Sequence, residues 1–203
     1  SHLKNIKFKD AIKHPKWKMG YKNSIDSATL VNKCLEIVEA HYLFDIPYKK
    51  LDIRIHPQAF VHSIVENTNF VSHMNLFKND MSIPIINFLI KNKSKFMKIN
   101  HNYQISTYPN LQFHKVNYVN FPIYKLFNKM NKEKPVNLIK FNVGNEVAVN
   151  LFKDGKIKYT DIYKIIKKAI SLNLYSSLNN IKDIIQYHEK IENRIKEISN
   201  TNF

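Results

Sequence analysis

The chain has three glycines in 203 residues, Gly20, Gly144 and Gly155, and no two of them are separated by a single residue. A dinucleotide-binding turn needs closely spaced glycines, because the backbone must approach the pyrophosphate at the start of a helix. The sequence also has one cysteine, Cys34, so an internal disulfide is excluded, and no spacing of histidine and cysteine suits zinc. The sequence therefore contains neither a recognisable dinucleotide turn nor a disulfide framework.

Long apolar runs are missing as well. The most apolar segment, residues 83–90, is shorter than the roughly 20 residues that a membrane-spanning helix requires. Residues 1–9 lack the apolar stretch of a signal peptide. We therefore expect no membrane partner. A cytoplasmic location is expected, or a plastid-type organelle if the source carries plastids.

Acidic residues are scarce relative to basic ones. The formal net charge is +16, from 32 lysines and arginines against 16 acidic residues. Such an excess raises a basic nucleic-acid-binding module as an alternative function. However, Arg54 and Arg194 are the two arginines, and the lysines are scattered singly among asparagine and isoleucine. We therefore disfavour a specific nucleic-acid partner and expect the charge to attract an anionic substrate.

A helix with one polar face is predicted from residue 27 onwards. Ser27 stands where the pattern begins and is predicted to be its N-cap, and the first turn of such a helix suits an anion. Asn32, Lys33 and Glu36 fall on the polar face, where they could hold a phosphate and a metal-bound oxygen. The core-facing stripe is predicted to contain Ala28, Val31, Leu35, Val38 and Tyr42, widened by Leu30, Cys34 and Ile37.

Both features also have a purely structural interpretation. A surface helix with a serine cap and a Lys33–Glu36 ion pair, worth about 0.2–0.5 kcal/mol, would show the same pattern. Upstream, His14, Trp17 and Gly20 form a segment that suits a lid over a site, since an exposed indole offers a large apolar cover. A lone tryptophan equally suits a buried core.

An ordered series of short motifs runs from about residue 13 to residue 165. These are His14-Pro15-x-Trp17-x-Met19-Gly20, Asp26-Ser27-Ala28-Thr29-x-x-Asn32-Lys33-x-Leu35-Glu36, Ile55-His56-Pro57-Gln58, His62-Ser63, Val65-Glu66, Asn79-Asp80-Met81 with Pro84, Asn145-Glu146 and Tyr159-Thr160-Asp161-Ile162. The series resembles the 1-deoxy-D-xylulose 5-phosphate reductoisomerase family. The resemblance implies NADPH-dependent conversion of that sugar phosphate to 2-C-methyl-D-erythritol 4-phosphate in the methylerythritol phosphate route to isoprenoids.

The resemblance also implies roles at the substrate. Ser27, Asn32 and Lys33 match the residues that bind the substrate phosphate and adjacent hydroxyls. Glu36 matches a ligand of the catalytic Mg²⁺ or Mn²⁺, and its carboxylate lies against the substrate. His14 matches a histidine that contacts substrate.

Three further positions match the family's lid and cofactor contacts. Trp17 corresponds to the tryptophan of the flap that closes over the site. Met81 corresponds to a methionine that packs beneath this flap. Gly20 corresponds to the glycine that lies against the nicotinamide of NADPH.

Three elements of the family are not found in the sequence. These are its glycine-rich turn, its Asp-Ser-Glu motif, which supplies the other carboxylate ligands of the metal, and the serine at the start of the flap that contributes to the phosphate pocket. We therefore expect the chain to be the carboxyl-terminal part of the enzyme, inactive by itself and paired as a homodimer in the complete protein. Cys34 replaces a glycine usual in the family, and a folded, non-catalytic remnant of the enzyme stays an alternative.

The expected fold class is α+β. We predict a catalytic domain over residues 1–90, a linker over 91–116 and a helical domain resembling a four-helix bundle over 117–203. In that last part apolar residues recur at helical spacing in four stretches, around residues 123–130, 136–152, 162–170 and 181–198. Pro135 is expected to end the first helix and Asp154-Gly155 the second, and Thr160-Asp161 is expected to cap the third. Of the histidines, His56 is predicted to be a packed structural residue, and the role of His62 is left open.

Overall fold

The computed structural model describes residues 6–12, 20–89 and 110–202. The described residues form two compact units. One contains residues 6–12, 20–52 and 117–202, and the other contains residues 53–89 and 110–116. This grouping differs from the predicted division at residues 90 and 116, since the helix after residue 30 lies in the same unit as the carboxyl-terminal helices. Among the described residues, no helix is both long enough and apolar enough to cross a membrane.

Helices predominate among the described residues and the strands form small sheets, which agrees with the expected α+β class. The helices are α1 (Phe8–Ala11), α2 (Tyr21–Thr29), α3 (Val31–Phe44), α4 (Ser82–Leu89), α5 (Pro122–Lys129), α6 (Pro135–Lys153), α7 (Asp161–Ile170) and α8 (Ile181–Asn202). A short 3₁₀ turn covers Tyr48–Lys50. The strands are β1 (Arg54–Ile55), β2 (Val61–Glu66), β3 (Ser72–Leu76) and β4 (His114–Lys115).

The four helices predicted after residue 117 are confirmed as α5 to α8. Their boundaries follow local signals with two corrections. Pro135 opens α6 instead of ending the helix before it, because a proline at the first helical position loses no hydrogen bond. Thr160 makes no capping hydrogen bond with its side chain; the Asp161 carboxylate accepts from the Lys158 amide at 3.0 Å instead. Asp154 and Gly155, with φ +71° at the glycine, end α6 as predicted.

Helix α6 lies at the centre of the first unit and contacts both α7 and α8. Its approach to α7 is close at Gly144, where an added β-carbon would lie 2.6 Å from the Ala169 β-carbon. Lys140, also on α6, is buried and donates to the Leu172 carbonyl at 2.7 Å. The Tyr187 hydroxyl of α8 donates to the Leu174 carbonyl at 2.7 Å, so two buried side chains hold the connection between α7 and α8.

The second unit contains two small antiparallel sheets. In one, β2 pairs with β3 from Val61↔Leu76 to Glu66↔Ser72, with an irregularity near Ser63. In the other, β1 pairs with β4. Both histidines of this unit's motifs make packing contacts. His62 stacks on Phe77 with ring centroids 3.6 Å apart.

The prediction that His56 is structural is confirmed. Its ring stacks on Phe113 at 4.8 Å between centroids, and its Nδ1 lies 2.8 Å from the Gln112 carbonyl oxygen. Gln58 adds hydrogen bonds to the backbone of Asn110 and Gln112, at 2.9 and 3.3 Å. The Ile-His-Pro-Gln motif is therefore joined to residues 110–113 by a ring contact and hydrogen bonds.

Candidate functional site

The corner between α2 and α3 is formed by one residue in the left-handed conformation. Leu30 has φ 63° and ψ 12°, which a side chain with a β-carbon disfavours. Its amide donates to the Ser27 carbonyl at 3.2 Å, and its carbonyl accepts from the Cys34 amide at 3.0 Å. The Leu30 side chain is buried. Burial of this side chain offsets the backbone strain and fixes the direction in which α3 leaves the corner.

Ser27 lies inside α2, so the prediction that it caps a helix beginning at residue 27 is wrong. α3 begins at Val31, and Leu30 before it makes no capping hydrogen bond with its side chain. In any α-helix the N–H groups of the first turn have no intrahelical acceptor. Val31 is fully buried, so among the described residues the first-turn amides of Asn32 and Lys33 are the ones that could meet an acceptor from outside the helix. Ser27 is half-buried in the last turn of α2, just before them.

The structure brings Asn32, Lys33 and Glu36 together on the solvent side of α3. The Lys33 Nζ lies 2.9 Å from Glu36 Oε1 and 2.7 Å from Oε2, and Asn32 Nδ2 donates to Oε1 at 2.7 Å. The side chains of Lys33 and Glu36 remain 48% and 45% exposed. An exposed pair contributes only about 0–1 kcal/mol to stability. A ligand could therefore rearrange this cluster at small cost.

The opposite face of α3 packs into the core, and the predicted stripe is right in part. The buried members are Leu30, Val31, Cys34 and Ile37, and Leu35 and Val38 are half-buried. Ala28, in α2, and Tyr42, near the end of α3, are exposed. The break at Leu30 rotates the second helix relative to the first, so one continuous periodicity cannot describe both.

Cys34 therefore lies on the core side of α3, one residue from Lys33. Burial raises the pKa of its thiol, which keeps the side chain neutral and inert. Lys132 lies close enough to influence this thiol, and its Nζ donates to the carbonyls of Phe127 and Asn128 at 3.4 and 3.3 Å. Burial lowers the pKa of Lys132. Cys34 acts as a packing residue here, and its sulfur points away from the polar cluster.

Gly20 lies at the amino end of α2, where it is the residue before the first turn. It is exposed, and an added β-carbon would meet no atom within 4 Å among the described residues. Its carbonyl accepts hydrogen bonds from the Ser24 amide and hydroxyl at 3.1 and 3.2 Å. The backbone at Gly20 is thus fixed while its open side remains accessible to a flat group.

The structure does not test three other predicted site residues against this cluster. His14 and Trp17 lie outside the described residues. Met81 belongs to the second unit and is 52% exposed, just before α4. The Asp80 carboxylate beside it accepts from the Ser82 amide and hydroxyl at 2.9 and 2.7 Å, and these hydrogen bonds lower the pKa of Asp80.

A buried hydrogen bond between Asp26 and Asn145, behind the corner, was not predicted from the sequence. Asp26, 3% exposed, accepts a hydrogen bond from Asn145 Nδ2 of α6 at 2.9 Å and pairs with Lys22. Both residues belong to motifs of the resemblance, but no local pattern could show that they meet. The one signal for this contact in the sequence was an acidic residue, Asp26, on the side of α2 that is buried in the structure.

Glu36 can offer one carboxylate to a divalent cation, and Mg²⁺ or Mn²⁺ prefers such oxygen ligands. The residues that the structure describes contain no group of three or more histidine, cysteine, aspartate or glutamate side chains that could hold a metal. The chemistry of the donor therefore fits one position of a metal site whose remaining ligands are not among these residues. Asn32 and Lys33 at the start of α3, and Ser27 just before it, are side chains whose chemistry suits an anion.

Two family domains match the chain. Residues 1–44 match the 1-deoxy-D-xylulose 5-phosphate reductoisomerase C-terminal domain, and residues 76–194 match the DXP reductoisomerase C-terminal domain. Among curated proteins, the reductoisomerase of Sulfurihydrogenibium sp. is 39% identical over 197 residues, which is 97% of this chain and 52% of the relative. The apicoplastic reductoisomerase of Plasmodium falciparum is 37% identical over 208 residues, 98% of this chain and 41% of the relative.

Solved structures agree with these matches. A DOX-P reductoisomerase in complex with NADPH, fosmidomycin and magnesium superposes with a TM-score of 0.86 at 28% identity, over 98% of this chain and 51% of that one. The enzyme from Zymomonas mobilis in complex with NADPH superposes with a TM-score of 0.82 at 27% identity, over 98% and 51%. The chain thus spans about half the length of the relatives it matches.

Proposed function

The chain belongs to the 1-deoxy-D-xylulose 5-phosphate reductoisomerase family, and from this premise we propose that it supplies the substrate-holding part of that enzyme. The proposed reaction is a metal-dependent isomerisation of 1-deoxy-D-xylulose 5-phosphate and its reduction by NADPH to 2-C-methyl-D-erythritol 4-phosphate. One observation carries the proposal: Asn32, Lys33 and Glu36 meet beside an uncapped helix start.

The start of α3 suits the substrate phosphate. Free backbone amides and the positive end of the helix dipole favour an anion there. Lys33 adds a full charge, Asn32 adds a side-chain donor, and the Ser27 hydroxyl is placed in the turn before them. The phosphate does not react, so its binding energy can hold the reactive end of the sugar in place.

Binding of a phosphate would also change the surroundings of Glu36. In the structure Lys33 and Asn32 donate to both oxygens of this carboxylate. A phosphate that attracts these donors would free lone pairs on Glu36 for a cation. When bound, Mg²⁺ or Mn²⁺ would stabilise negative charge that develops on the ketone and hydroxyl oxygens of the substrate. Glu36 would be one of several ligands, the others coming from outside the described residues.

The remaining proposed roles concern closure and the nicotinamide. His14 would contact substrate, and Trp17 would cover the site as part of a lid that excludes water. Met81 would pack beneath that lid. Gly20 would lie against the nicotinamide of NADPH, which its exposed position and missing side chain allow.

The sequence contains no Gly-x-Gly, so we propose that the pyrophosphate of NADPH is held by residues outside this chain. The chain by itself is then expected to be inactive. In the complete enzyme we propose a homodimer with a small phosphorylated sugar as substrate. A plastid-type organelle is a proposed location beside the cytoplasm, because an apicoplastic relative is 37% identical.

A chimera tests this proposal. The amino-terminal part of the Sulfurihydrogenibium relative would be joined to these 203 residues, and loss of NADPH absorbance would be followed with 1-deoxy-D-xylulose 5-phosphate and Mg²⁺. We expect turnover that requires both, with the amino-terminal part alone as control. A chimera that folds and binds NADPH, yet neither consumes this substrate nor binds fosmidomycin, would support the idle remnant and contradict the proposal.

A further inference from the structure

Asn145 is a polar side chain in an otherwise apolar position. It is fully buried on α6, and Nδ2 donates to Asp26 Oδ1 at 2.9 Å. Its Oδ1 has no hydrogen-bond partner among the described residues. The other buried residues of α6 are apolar or small, apart from Lys140: Phe141, Val143, Gly144, Val147, Ala148, Val149 and Phe152.

A buried amide whose oxygen has no hydrogen-bond partner is a poor choice for stability alone. Burial of an unpaired polar atom is unfavourable, and an apolar residue of similar size would avoid it. The Asp26 carboxylate is nearly as deeply buried and has Lys22 as its ion-pair partner. A buried polar pair between separate elements fixes their relative position, since the hydrogen bond forms in one geometry.

The position that this pair fixes is the corner before α3. Asp26 directly precedes Ser27, and the next polar residue, Thr29, donates from its hydroxyl to the carbonyls of Ile25 and Asp26 at 3.0 and 3.3 Å. Leu30 then turns the chain in the left-handed conformation. The placement of Ser27 and of the first turn of α3 therefore depends on where α6 holds Asp26.

We propose that Asn145 is a positioning residue: through Asp26 it sets the geometry of the phosphate-holding corner formed by Ser27 and the start of α3. The expected effect on catalysis rests on the proposed function. The mechanical link, by which Asn145 positions the corner through Asp26, does not. It assigns the Asn of the Asn145-Glu146 motif a task in substrate binding exerted from the helical part of the chain. Asn145 does not touch the substrate.

The mechanical link is tested on the 203-residue chain by amide hydrogen exchange. In Asn145→Asp two carboxyl groups face each other, and we expect at least about tenfold faster exchange at the Leu30 and Cys34 amides, a factor of ten being about 1.4 kcal/mol. Asn150→Asp is the matched control, because Asn150 also joins α6 to α2, through the exposed Tyr21 hydroxyl at 3.2 Å. Equal exchange at Leu30 and Cys34 in both variants would overturn the link.

The consequence for binding is tested in the chimera with and without the phosphate on the substrate. Asn145→Asp should lower kcat/KM for 1-deoxy-D-xylulose 5-phosphate by roughly ten- to a hundredfold, and much less for 1-deoxy-D-xylulose. Asp26→Asn combined with Asn145→Asp restores one amide and one carboxylate and should recover most of the loss. Where Asn145→Asp does not fold, Asn145→Ala removes the donor without adding a charge.

The outcomes separate the two proposals. A folded, NADPH-binding parent chimera that lacks both turnover and fosmidomycin binding contradicts the proposed function. The hydrogen-exchange measurement still tests the structural link between Asn145 and the corner. A parent that is active, with variants that lose thermal stability but keep the ratio of the two kcat/KM values, overturns the positioning role. Recovery of that ratio in the double variant supports it, because a merely structural loss would not depend on the phosphate.

Discussion

The ammonium of Lys33 lies within 2.9 Å of both oxygens of the Glu36 carboxylate. The residue proposed to bind the phosphate and the residue proposed to bind the cation are thus partners of each other in the ligand-free chain. A phosphate that draws the Lys33 ammonium away would leave the Glu36 carboxylate without its neutralising charge. Binding of the phosphate should therefore make Glu36 more available to a cation.

Lys33→Met in the chimera is expected to lower kcat/KM for 1-deoxy-D-xylulose 5-phosphate by about 10- to 100-fold, since a hydrogen bond to a charged group is worth roughly 1.5–3 kcal/mol. The Mg²⁺ concentration for half-maximal rate should stay the same or fall, because Glu36 loses its competing partner. Initial rates across a Mg²⁺ series measure both quantities. Lys129→Met, at an exposed lysine of α5, is the control; equal kcat/KM in the two variants would refute the role of Lys33.

Glu36→Gln is expected to raise the Mg²⁺ requirement and to lower kcat, because a neutral amide is a weaker ligand for a hard cation. Its effect on thermal stability should be small, as exposed ion pairs contribute only about 0–1 kcal/mol. Glu39→Gln changes an exposed carboxylate elsewhere on the same helix and serves as the control. Full activity of Glu36→Gln at low Mg²⁺ would be incompatible with a ligand role.

Gly144→Ala is expected to destabilise the chain by about 1–3 kcal/mol, as overpacking of a close helix contact does. The new β-carbon would lie 2.6 Å from the Ala169 β-carbon and 3.2 Å from the Ile166 Cα. Urea denaturation followed by circular dichroism measures the loss. Ala169→Gly added to Gly144→Ala removes the closer of the two contacts and should recover part of the stability. No loss in the single variant would show that α6 and α7 can separate without cost.

Tyr48→Phe is expected to reduce the sensitivity of the fold to alkaline pH. Burial raises the pKa of Tyr48 from 10.0 to about 12, and its hydroxyl has no hydrogen-bond partner among the described residues. The unfolded chain ionises first, so this contribution is complete below pH 10 and is lost as pH rises towards 12.

Thermal midpoints measured at steps across this pH range should therefore fall less in Tyr48→Phe than in the unchanged chain. At neutral pH the variant should be equally stable or slightly more so, because it removes a buried unpaired hydroxyl. Parallel pH profiles for the two proteins would show that Tyr48 does not contribute to alkaline unfolding.

Much of the local structure was predictable because its causes are local. The apolar spacing after residue 117 defines four helices, and Asp154 with Gly155 ends the second of them before α7 begins. The polar cluster on α3 was predictable for the same reason: residues three and four apart share a helix face. Asn32, Lys33 and Glu36 meet wherever this segment is helical.

The break at Leu30 was not predictable, because leucine is a poor residue for a left-handed turn and its burial, which offsets the strain, depends on the tertiary structure. Ser27 therefore looked like the start of one helix, although it belongs to the end of another. For the same reason Ala28 was assigned to the core-facing stripe of α3, since one periodicity was extended through a change of direction.

What the sequence by itself determined is a set of helices, a polar cluster on one helix face and a family resemblance, all properties of neighbouring residues. The tertiary structure alone decided that Asp26 and Asn145, 119 positions apart, share a buried hydrogen bond, and that Gly144 allows α7 to approach α6. Such contacts depend on how whole helices pack, because the partner of a buried polar group is chosen by the fold and not by its neighbours along the chain.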